Sequence, residues 1–375
     1  MKIAILADFP LTALTGDTSG RGGGQGCTWL PQIALAWQSA VEFDIHWLVF
    51  DRHAAKHESL RKWNQTFHRI PCTSISASLL LGRWPHRLAT RRLLDTLRPD
   101  LIHCWGTENL NGAPLLDFRG PSILSMQGII RTYFKTGDLR GWRWRLFRHW
   151  ERTSIHEASV ITSESQWGLN RVTEMNPNAM LRKVEYGVHP SYYNIQWQPE
   201  PDHPRVLFIG GFNRLKGVDI MIEMLTKHPE RSWKIAFAGG GYLMEAIKKL
   251  DNPSVEILGL LTTEQVQKEM AKSWALIMPS RADTSPNVVK EARVIGLPVI
   301  GSPHGGHAEY ITHELDGLLV SSEDPTAWYR AIDSLCGDFK RCVAMGSANH
   351  TLFREHFRPE KTASSFLDLY REMLS

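Results

Sequence analysis

The sequence has few of the features that are typical of exported, disulfide-bonded, zinc-binding or membrane-spanning proteins. Its five cysteines are odd in number and include no C-x₂-C pair, so neither a disulfide framework nor a zinc site is predicted. The opening MKIAILADFP is too poor in apolar residues for a signal peptide, and no later run approaches about 18 uninterrupted apolar residues. We therefore expect a cytoplasmic protein that does not span a membrane.

Charge is distributed unevenly along the 375 residues. Residues 1–187 hold 23 Lys and Arg against 16 Asp and Glu, whereas the remainder holds 20 against 23. The net charge is only +4, and no recognised binding motif is present, which argues against nucleic acid as a partner. The length suffices for two domains with separate cores.

Much of the positive charge lies in residues 82–99 and 131–152. In the second segment Trp142, Leu146 and Trp150 recur at four-residue spacing, with the arginines mostly elsewhere on the helical wheel. Such a helix suits an anionic membrane surface, on the inner face of a membrane, or a negatively charged lipid-linked acceptor. The alternative is a core-facing Trp and Leu stripe with a solvated arginine face.

Apolar runs of strand length alternate with helical segments along the first half of the chain. This alternation predicts an α/β fold with a parallel, doubly wound sheet, and a second such sheet is predicted to begin at Val206. In sheets of this kind the chemistry lies at the carboxyl ends of the strands, so the loops that follow strands are the places to search for a site.

The most informative stretch is 279–306, which sets Asp283 and Glu291 eight positions apart around a turn. A helix is predicted to start near Val288, where backbone N–H groups without intrahelical partners can receive an anion or sugar hydroxyls. Carboxylates accept pairs of hydroxyls, which suits ribose or hexose diols. The alternative is an acid placed near a helix start for dipole reasons alone. The predicted donor-binding segment at this helix start comprises Ser285, Pro286, Asn287 and Val288.

This stretch resembles the E-x₇-E signature of the retaining glycosyltransferases of family 4, the glycosyl transferases group 1 type. PS precedes the acid pair, and EA, GxPVI and GG follow it, with aspartate in place of the first glutamate. The resemblance implies that Asp283 contacts the hydroxyls of a donor sugar and that Glu291 holds the ribose of its nucleotide.

The resemblance extends over most of residues 204–320. Lys216 matches the family's phosphate-binding lysine, and Gly211 stands where the family's arginine is usual, while Arg214 lies two residues before the lysine. Cations there stabilise the charge that builds on a departing diphosphate. The alternative is two solvated cations on a surface turn. Gly240 lies in a three-glycine turn similar to the family's GxG, a pattern that tight strand-to-helix packing also produces.

In the first half, three loops resemble family features less closely. The glycine-rich loop 19–26, with Gly23 and Gly24, resembles the loop that approaches donor phosphates, although a mobile linker is the alternative. Gln127 stands where many members carry a histidine beside the donor sugar. Glu108 and His103 are candidates for acceptor contact, and a satisfied core histidine is the alternative for His103.

The resemblance implies a GT-B fold: two Rossmann-like, doubly wound parallel-sheet domains facing a central cleft. EYGVHP resembles the family's NGVD-type segment and precedes a polar, Pro-rich stretch, which marks the domain boundary. We predict an acceptor-binding domain over 1–187, a nucleotide-sugar-binding domain over 188–358 and a final helix, 359–375, that crosses back to the first domain.

The predicted function is transfer of a sugar, with retained configuration, from a UDP, GDP or ADP sugar to a hydroxyl of a glycan or lipid-linked acceptor. WGTEN and QG resemble a bacterial surface-polysaccharide subset of the family. Asp283, Gln127 and Lys216 are the predicted catalytic residues, and the absence of any D-x-D predicts no metal cofactor. The alternatives are a non-catalytic sugar-nucleotide or glycan-binding protein and a sugar-nucleotide epimerase.

Overall fold

A computed structural model describes residues 1–15, 29–321 and 323–375. Its contacts divide the chain into two units. The first unit comprises Met1–Arg131, Arg140–His189 and Pro359–Ser375, and the second comprises Thr132–Leu139 and Pro190–Arg358. The chain thus passes to the second unit after His189, two residues beyond the predicted boundary, and segment 132–139, which the prediction left in the first domain, packs with the second unit.

The first unit contains an eight-stranded sheet with strand order β3-β4-β2-β1-β5-β6-β7-β8. All neighbours are parallel except β3 and β4, which are antiparallel. The strands are β1 (Lys2–Leu6), β2 (Asp44–Asp51), β3 (Glu58–Lys62), β4 (Gln65–Pro71), β5 (Leu101–Trp105), β6 (Ser122–Met126), β7 (Val160–Ser163) and β8 (Met180–Lys183). Strands β5, β6 and β7 are buried along their whole length, as expected where helices cover both faces of a parallel sheet.

Helices of the first unit flank this sheet. They are α1 (Thr12–Thr15), α2 (Leu30–Ala36), α3 (Ile75–Leu80), α4 (Trp84–Leu97), α5 (Ile130–Tyr133, whose last two residues lie in the second unit), α6 (Trp142–Glu157), α7 (Gln166–Thr173) and α14 (Pro359–Leu374). The last of these, α14, packs in the first unit: the Trp37 indole N–H donates to the carbonyl of Ala363 at 2.9 Å, and the amide of Gly187 donates to Thr362 Oγ1 at 2.8 Å.

Helix α6 does not bury the face that its tryptophan spacing suggested. Its buried residues are Phe147, Glu151, Ser154 and Ile155, and Trp142 is 49% exposed. The alternative of a core-facing stripe through residues 142, 146 and 150 is therefore wrong, because neighbouring elements cover the side of the helix centred on Glu151. The interfacial alternative stays a prediction.

The second unit contains a six-stranded, fully parallel sheet with order β11-β10-β9-β12-β13-β14. Its strands are β9 (Arg205–Gly211), β10 (Lys234–Gly240), β11 (Val255–Gly259), β12 (Ala275–Met278), β13 (Val299–Gly301) and β14 (Gly317–Leu319). Its helices are α8 (Val218–Lys227), α9 (Met244–Lys248), α10 (Thr263–Lys272), α11 (Asn287–Ile295), α12 (Pro325–Cys336) and α13 (Phe339–Phe353). The predicted doubly wound α/β class is confirmed for both units. Across the described ranges no helix has the length and apolar character needed to cross a bilayer.

Helix α11 is fixed in the second unit by a fully buried ion pair between Arg293 and Asp316. The guanidinium donates to Asp316 Oδ1 at 2.5 Å, to the carbonyl of Asp316 at 2.6 Å and to the carbonyl of Tyr310 at 2.7 Å. Burial lowers the pKa of Arg293 to about 10, so the group stays charged at neutral pH. Each donor therefore needs its oxygen partner, and the pair sets the position of α11.

We expect Asp316→Ala to lower the free energy of unfolding by about 3–5 kcal/mol, because it leaves a charged guanidinium buried without its counterion. Glu223→Ala is the control: it removes the exposed pair with Lys227 on α8 and should cost less than about 0.5 kcal/mol. Urea denaturation followed by circular dichroism measures both, and equal losses would contradict a structural role for the buried pair.

Candidate functional site

The turn between β9 and α8 is pressed against the loop that follows β12. Gly217 has φ +74°, and a Cβ at this position would lie 2.1 Å from the carbonyl oxygen of Pro279. Only glycine accommodates both the left-handed conformation and this approach. The turn that carries Lys216 is therefore held beside the loop that carries Asp283.

Lys216 and Asp283 form an ion pair between Nζ and Oδ2. Asp283 is largely buried, whereas the lysine side chain is partly exposed. The amide of Lys216 donates to Asn213 Oδ1 at 2.9 Å, which closes the turn below it. Two of the three predicted catalytic residues thus lie together in the second unit.

A buried imidazole, His307, stands close to this ion pair. Burial lowers the pKa of His307 to about 4, the charge of Asp283 opposes this shift and that of Lys216 adds to it, so the ring is neutral at physiological pH. Its Nε2 lies 3.3 Å from Ser302 Oγ. No sequence pattern marks this residue beyond its place after the HGG segment.

Two arginines lie beside the turn, and only one is held by strong ion pairs. Arg281 contacts both carboxylate oxygens of Asp219, at 2.7 and 3.0 Å, and Glu323 at 2.7 Å. Arg214 reaches Asp219 only at 3.7 Å, and its side chain is 56% exposed. Arg281 was not predicted as a site residue, and it supports the turn by donating to the carbonyl of Arg214.

Two backbone amides of the turn between β9 and α8 donate hydrogen bonds to side-chain oxygen atoms. The amide of Leu215 donates to Asp138 Oδ2, and the amide of Arg214 donates to the hydroxyl of Tyr242 at 3.1 Å. That hydroxyl in turn donates to Asp138 Oδ1. The turn therefore already binds one anionic group, the carboxylate of Asp138, through a backbone amide. Neither Asp138 nor Tyr242 was predicted as a site residue.

The glycines of the site lie where two neighbouring strands end. Gly211 of β9 pairs with Gly240 of β10, and a Cβ at Gly239 would lie 2.0 Å from the carbonyl oxygen of Gly210. At Gly240 the nearest atom to an added Cβ is the methyl carbon of Met244, at 3.7 Å. Glycine is thus required at position 239 because the two strands pack closely there, whereas position 240 has space for a side chain. The two predicted glycines, Gly211 and Gly240, lie at the same edge of the sheet as the turn that carries Lys216.

The predicted helix start after TSPN is observed at α11. Pro286 occupies the N-cap position and supplies no capping hydrogen bond from its side chain. Ser285 is buried, with its Oγ 3.3 Å from the hydroxyl of Tyr310, whereas Asn287 and Val288 are partly exposed. The first turn of α11 therefore lies directly after Asp283 with its amides directed toward the loop.

Glu291 lies on the second turn of α11 and is hydrogen-bonded to the hydroxyl of Tyr192. Burial raises the pKa of Glu291 to about 7, although Tyr192 and Lys290 oppose the shift. Burial and the adjacent carboxyl also raise the pKa of Tyr192, so this phenol is the donor. Tyr192, from the segment that opens the second unit, is a site residue that the sequence did not reveal.

Candidate residues of the first unit gather around Gly106. A Cβ there would lie 2.8 Å from Glu108 Oε2 and 3.5 Å from Gln127 Oε1, so these two side chains flank one backbone position at the ends of β5 and β6. Burial raises the pKa of Glu108. Gln127 and Glu108 are thus brought together, as the adjacent parallel strands predict.

Two further acids support this edge of the first sheet. Asp8 accepts a hydrogen bond from Asn109 at 2.7 Å, and burial raises its pKa. Glu151 accepts the amides of Ile130 and Arg131, at 2.8 and 3.1 Å, and burial raises its pKa to about 8. Glu151 thereby holds the start of α5, which follows Gln127 after a short loop.

His103 is a core residue, and its assignment to acceptor contact is wrong. The ring is fully buried, Nδ1 lies 2.7 Å from the hydroxyl of Tyr370, and Nε2 lies 2.7 Å from Ser125 Oγ. Burial lowers its pKa to about 3, so it stays neutral. The predicted glycines Gly23 and Gly24 lie outside the described residues.

Lys216, Asp283 and Glu291 all lie within a segment that matches a known protein family. Residues 203–338 match the family model "Glycosyl transferases group 1". The D-inositol 3-phosphate glycosyltransferase of Corynebacterium kroppenstedtii is 28% identical over 189 residues, 46% of this chain and 42% of that protein. This chain spans less than half the length of the first two curated relatives that it matches.

Solved structures resemble the chain over nearly its whole length. Sucrose-phosphate synthase from Thermosynechococcus elongatus has a TM-score of 0.81 at 17% identity, covering 99% of this chain and 98% of that one. Anabaena HepE in complex with UDP-glucose has a TM-score of 0.73 at 15% identity, covering 99% and 100%. These likenesses confirm the predicted GT-B fold class, and the family match confirms the resemblance to glycosyl transferases group 1 over residues 203–338.

The raised pKa of Glu291 predicts a specific dependence of stability on pH. The folded chain holds this proton up to about pH 7, whereas an unfolded chain releases it near pH 4.5. The contribution of Glu291 to the free energy of unfolding therefore falls as pH rises through that interval and is constant above it. We expect Glu291→Gln to remove this fall, so that the variant gains roughly 3 kcal/mol relative to wild type across the interval.

Urea denaturation at a series of pH values measures this difference. Tyr192→Phe is the matched control: it keeps the acid and removes a hydrogen bond that favours the charged form, so the fall should persist and extend to higher pH. Identical pH profiles for wild type and Glu291→Gln would show that Glu291 titrates normally in the folded chain.

Proposed function

Starting from the glycosyl transferases group 1 match of residues 203–338, we propose that this chain is a glycosyltransferase that uses a nucleotide-sugar donor. The observation that carries the proposal is the placement of Lys216, Asp283 and Glu291 around one loop and helix start in the second unit. A cation, a buried acid and a second acid one helix turn away match the three parts of such a donor: diphosphate, sugar and ribose.

In this proposal the cations act on the leaving group. Negative charge builds on the diphosphate as the glycosidic bond breaks, so a lysine placed there stabilises the transition state more than the ground state. Lys216 is the principal cation because its side chain reaches the loop of Asp283. Arg214 is the second, since its guanidinium is exposed and only distantly paired, whereas Arg281 is committed to Asp219 and Glu323.

The acids bind hydroxyls. Asp283, with the amides at the start of α11, would hold the donor sugar, and Glu291 would accept the ribose hydroxyls while Tyr192 fixes the orientation of its carboxyl. Gln127 and Glu108 are the first unit's candidates for binding further hydroxyls. All of these groups bind and orient; none needs to attack the sugar covalently.

We further propose that transfer retains the configuration of the sugar. In a same-face mechanism the departing phosphate takes the proton of the incoming hydroxyl, which requires no protein nucleophile and suits a site built from phosphate and hydroxyl binders. The proposed acceptor is a hydroxyl of a glycan or lipid-linked molecule, in cytoplasmic synthesis of a surface polysaccharide or glycoconjugate. UDP, GDP and ADP sugars are all donors to be tried.

A thermal-shift panel of nucleotides and nucleotide sugars tests the proposed donor. We expect one sugar nucleotide to raise the melting temperature, because a ligand that binds only the folded state stabilises it by mass action. Lys216→Ala should remove most of this shift. It should also lower kcat, measured from the nucleotide released during transfer, about 10²–10³-fold. Lys227→Ala, on the exposed end of α8, is the control that should change neither.

The outcomes of this panel distinguish a wrong donor assignment from a wrong role for Lys216. If no sugar nucleotide stabilises wild type, the donor assignment falls. If one does so and Lys216→Ala binds and turns over normally, the donor stands and the phosphate role of Lys216 is wrong. Binding without turnover on a broad set of acceptors would favour the non-catalytic binding protein.

We also propose that catalysis needs no metal ion, because Lys216 and the turn amides can neutralise the diphosphate and the sequence lacks a D-x-D. Sugar transfer should proceed at an unchanged rate in excess EDTA. Loss of activity that Mg²⁺ or Mn²⁺ restores would refute this part of the proposal and leave the donor assignment intact.

A further inference from the structure

The corner between α3 and α4 presents apolar side chains to solvent and buries an arginine. Leu80, Leu81 and Trp84 are 66%, 61% and 59% exposed, whereas Arg83 is 1% exposed. This inverts the usual distribution, in which leucine and tryptophan are buried and arginine is exposed. We call residues 80–84 the apolar corner.

Arg83 fixes the apolar corner to helix α6. Its Nη1 donates to Ser154 Oγ at 3.1 Å, and its guanidinium lies over the ring of Trp150, 4.4 Å from the centroid. Its backbone has φ +65°, a left-handed conformation that a non-glycine residue adopts only where surrounding contacts hold it. The apolar corner is therefore held in this exposed conformation by the contacts of Arg83.

Helix α6 adds positive charge beside the apolar corner. Its four arginines, Arg143, Arg145, Arg148 and Arg152, are all exposed. Of its two glutamates, Glu151 is buried and accepts backbone amides. Trp142, at the start of α6, is also half exposed and lies two turns, about 12 Å, along the helix from Trp150.

We propose that the apolar corner, together with Trp142 and the exposed arginines of α6, binds the surface of an anionic lipid bilayer. Leucine side chains enter the boundary of the acyl chains, tryptophan rings suit the headgroup level, and arginines attract anionic headgroups. Charge complementarity selects this occupant, because the helix that packs against the apolar corner carries four exposed arginines, and such a pairing of apolar and positive groups suits a surface that is apolar within and negative at its face.

The structure thus relocates the membrane contact that the sequence suggested. Trp150, which the helical spacing assigned to the membrane-facing stripe, is the stacking partner of Arg83. Residues 80, 81 and 84, around the end of α3 and the start of α4, are more exposed than the three residues of that stripe. The inference is independent of the proposed donor chemistry, which belongs to the second unit.

Co-sedimentation of the full chain with vesicles tests this surface. The vesicles are phosphatidylcholine alone or phosphatidylcholine with about one third phosphatidylglycerol. We expect binding to the anionic vesicles only, and at least about tenfold weaker binding for the triple variant Leu80→Ser, Leu81→Ser, Trp84→Ser. Leu260→Ser is the matched control, since Leu260 is 83% exposed in the second unit, and it should bind as wild type does.

A second arm tests the charge. Arg143→Gln combined with Arg145→Gln should weaken binding to anionic vesicles, and added salt should do the same. The proposal is overturned if neutral and anionic vesicles bind equally or if the triple variant binds as wild type does. It is also overturned if wild type ignores vesicles but dimerises in sedimentation velocity in a way that the triple variant abolishes. Should the triple variant melt early, Leu81→Ser alone gives the same readout.

Discussion

The candidate site depends on the pairing of two parallel strands, β9 and β12. Their register, with Val206 opposite Ala275, brings the loops that follow them to the same edge of the sheet. Lys216 and Asp283 are 67 residues apart in the chain, yet they form an ion pair because each follows one of these strands. Gly217 completes the constraint, since a side chain there would collide with the carbonyl of Pro279.

The sequence was sufficient where chemistry and local pattern coincide. Alternating apolar runs predicted two doubly wound sheets, and Lys216, Asp283 and Gln127 lie in the segments that follow strands β9, β12 and β6, as the pattern predicts. The start of α11 followed from turn residues alone. These predictions hold because each depends on a few neighbouring residues and on the rule that parallel strands expose their carboxyl ends together.

What the sequence did not reveal is which residues meet from distant elements. Tyr192 with Glu291, Asp138 with Leu215, and Arg281 with Asp219 are set by tertiary packing, and no local pattern marks them. The same limit explains the errors. His103 lies on a strand whose other contacts come from α14, and the buried face of α6 is decided by the elements that cover it, not by the spacing of its tryptophans.

The carboxylates around the β9 turn give the site a property that its positive residues alone would not suggest. Asp283 neutralises Lys216, and Asp138 occupies the amide of Leu215, so the turn already holds two anionic groups. Under the proposed function, a donor phosphate would compete with these carboxylates for the same hydrogen-bond donors and would not simply fill a solvated cationic hollow. Because both carboxylates remain attached to the chain after they are displaced, they continue to repel the phosphate, so displacement favours an anion whose hydrogen bonds to the donors are better than theirs. Under the proposed function, the resident acids would therefore make this turn selective among anions.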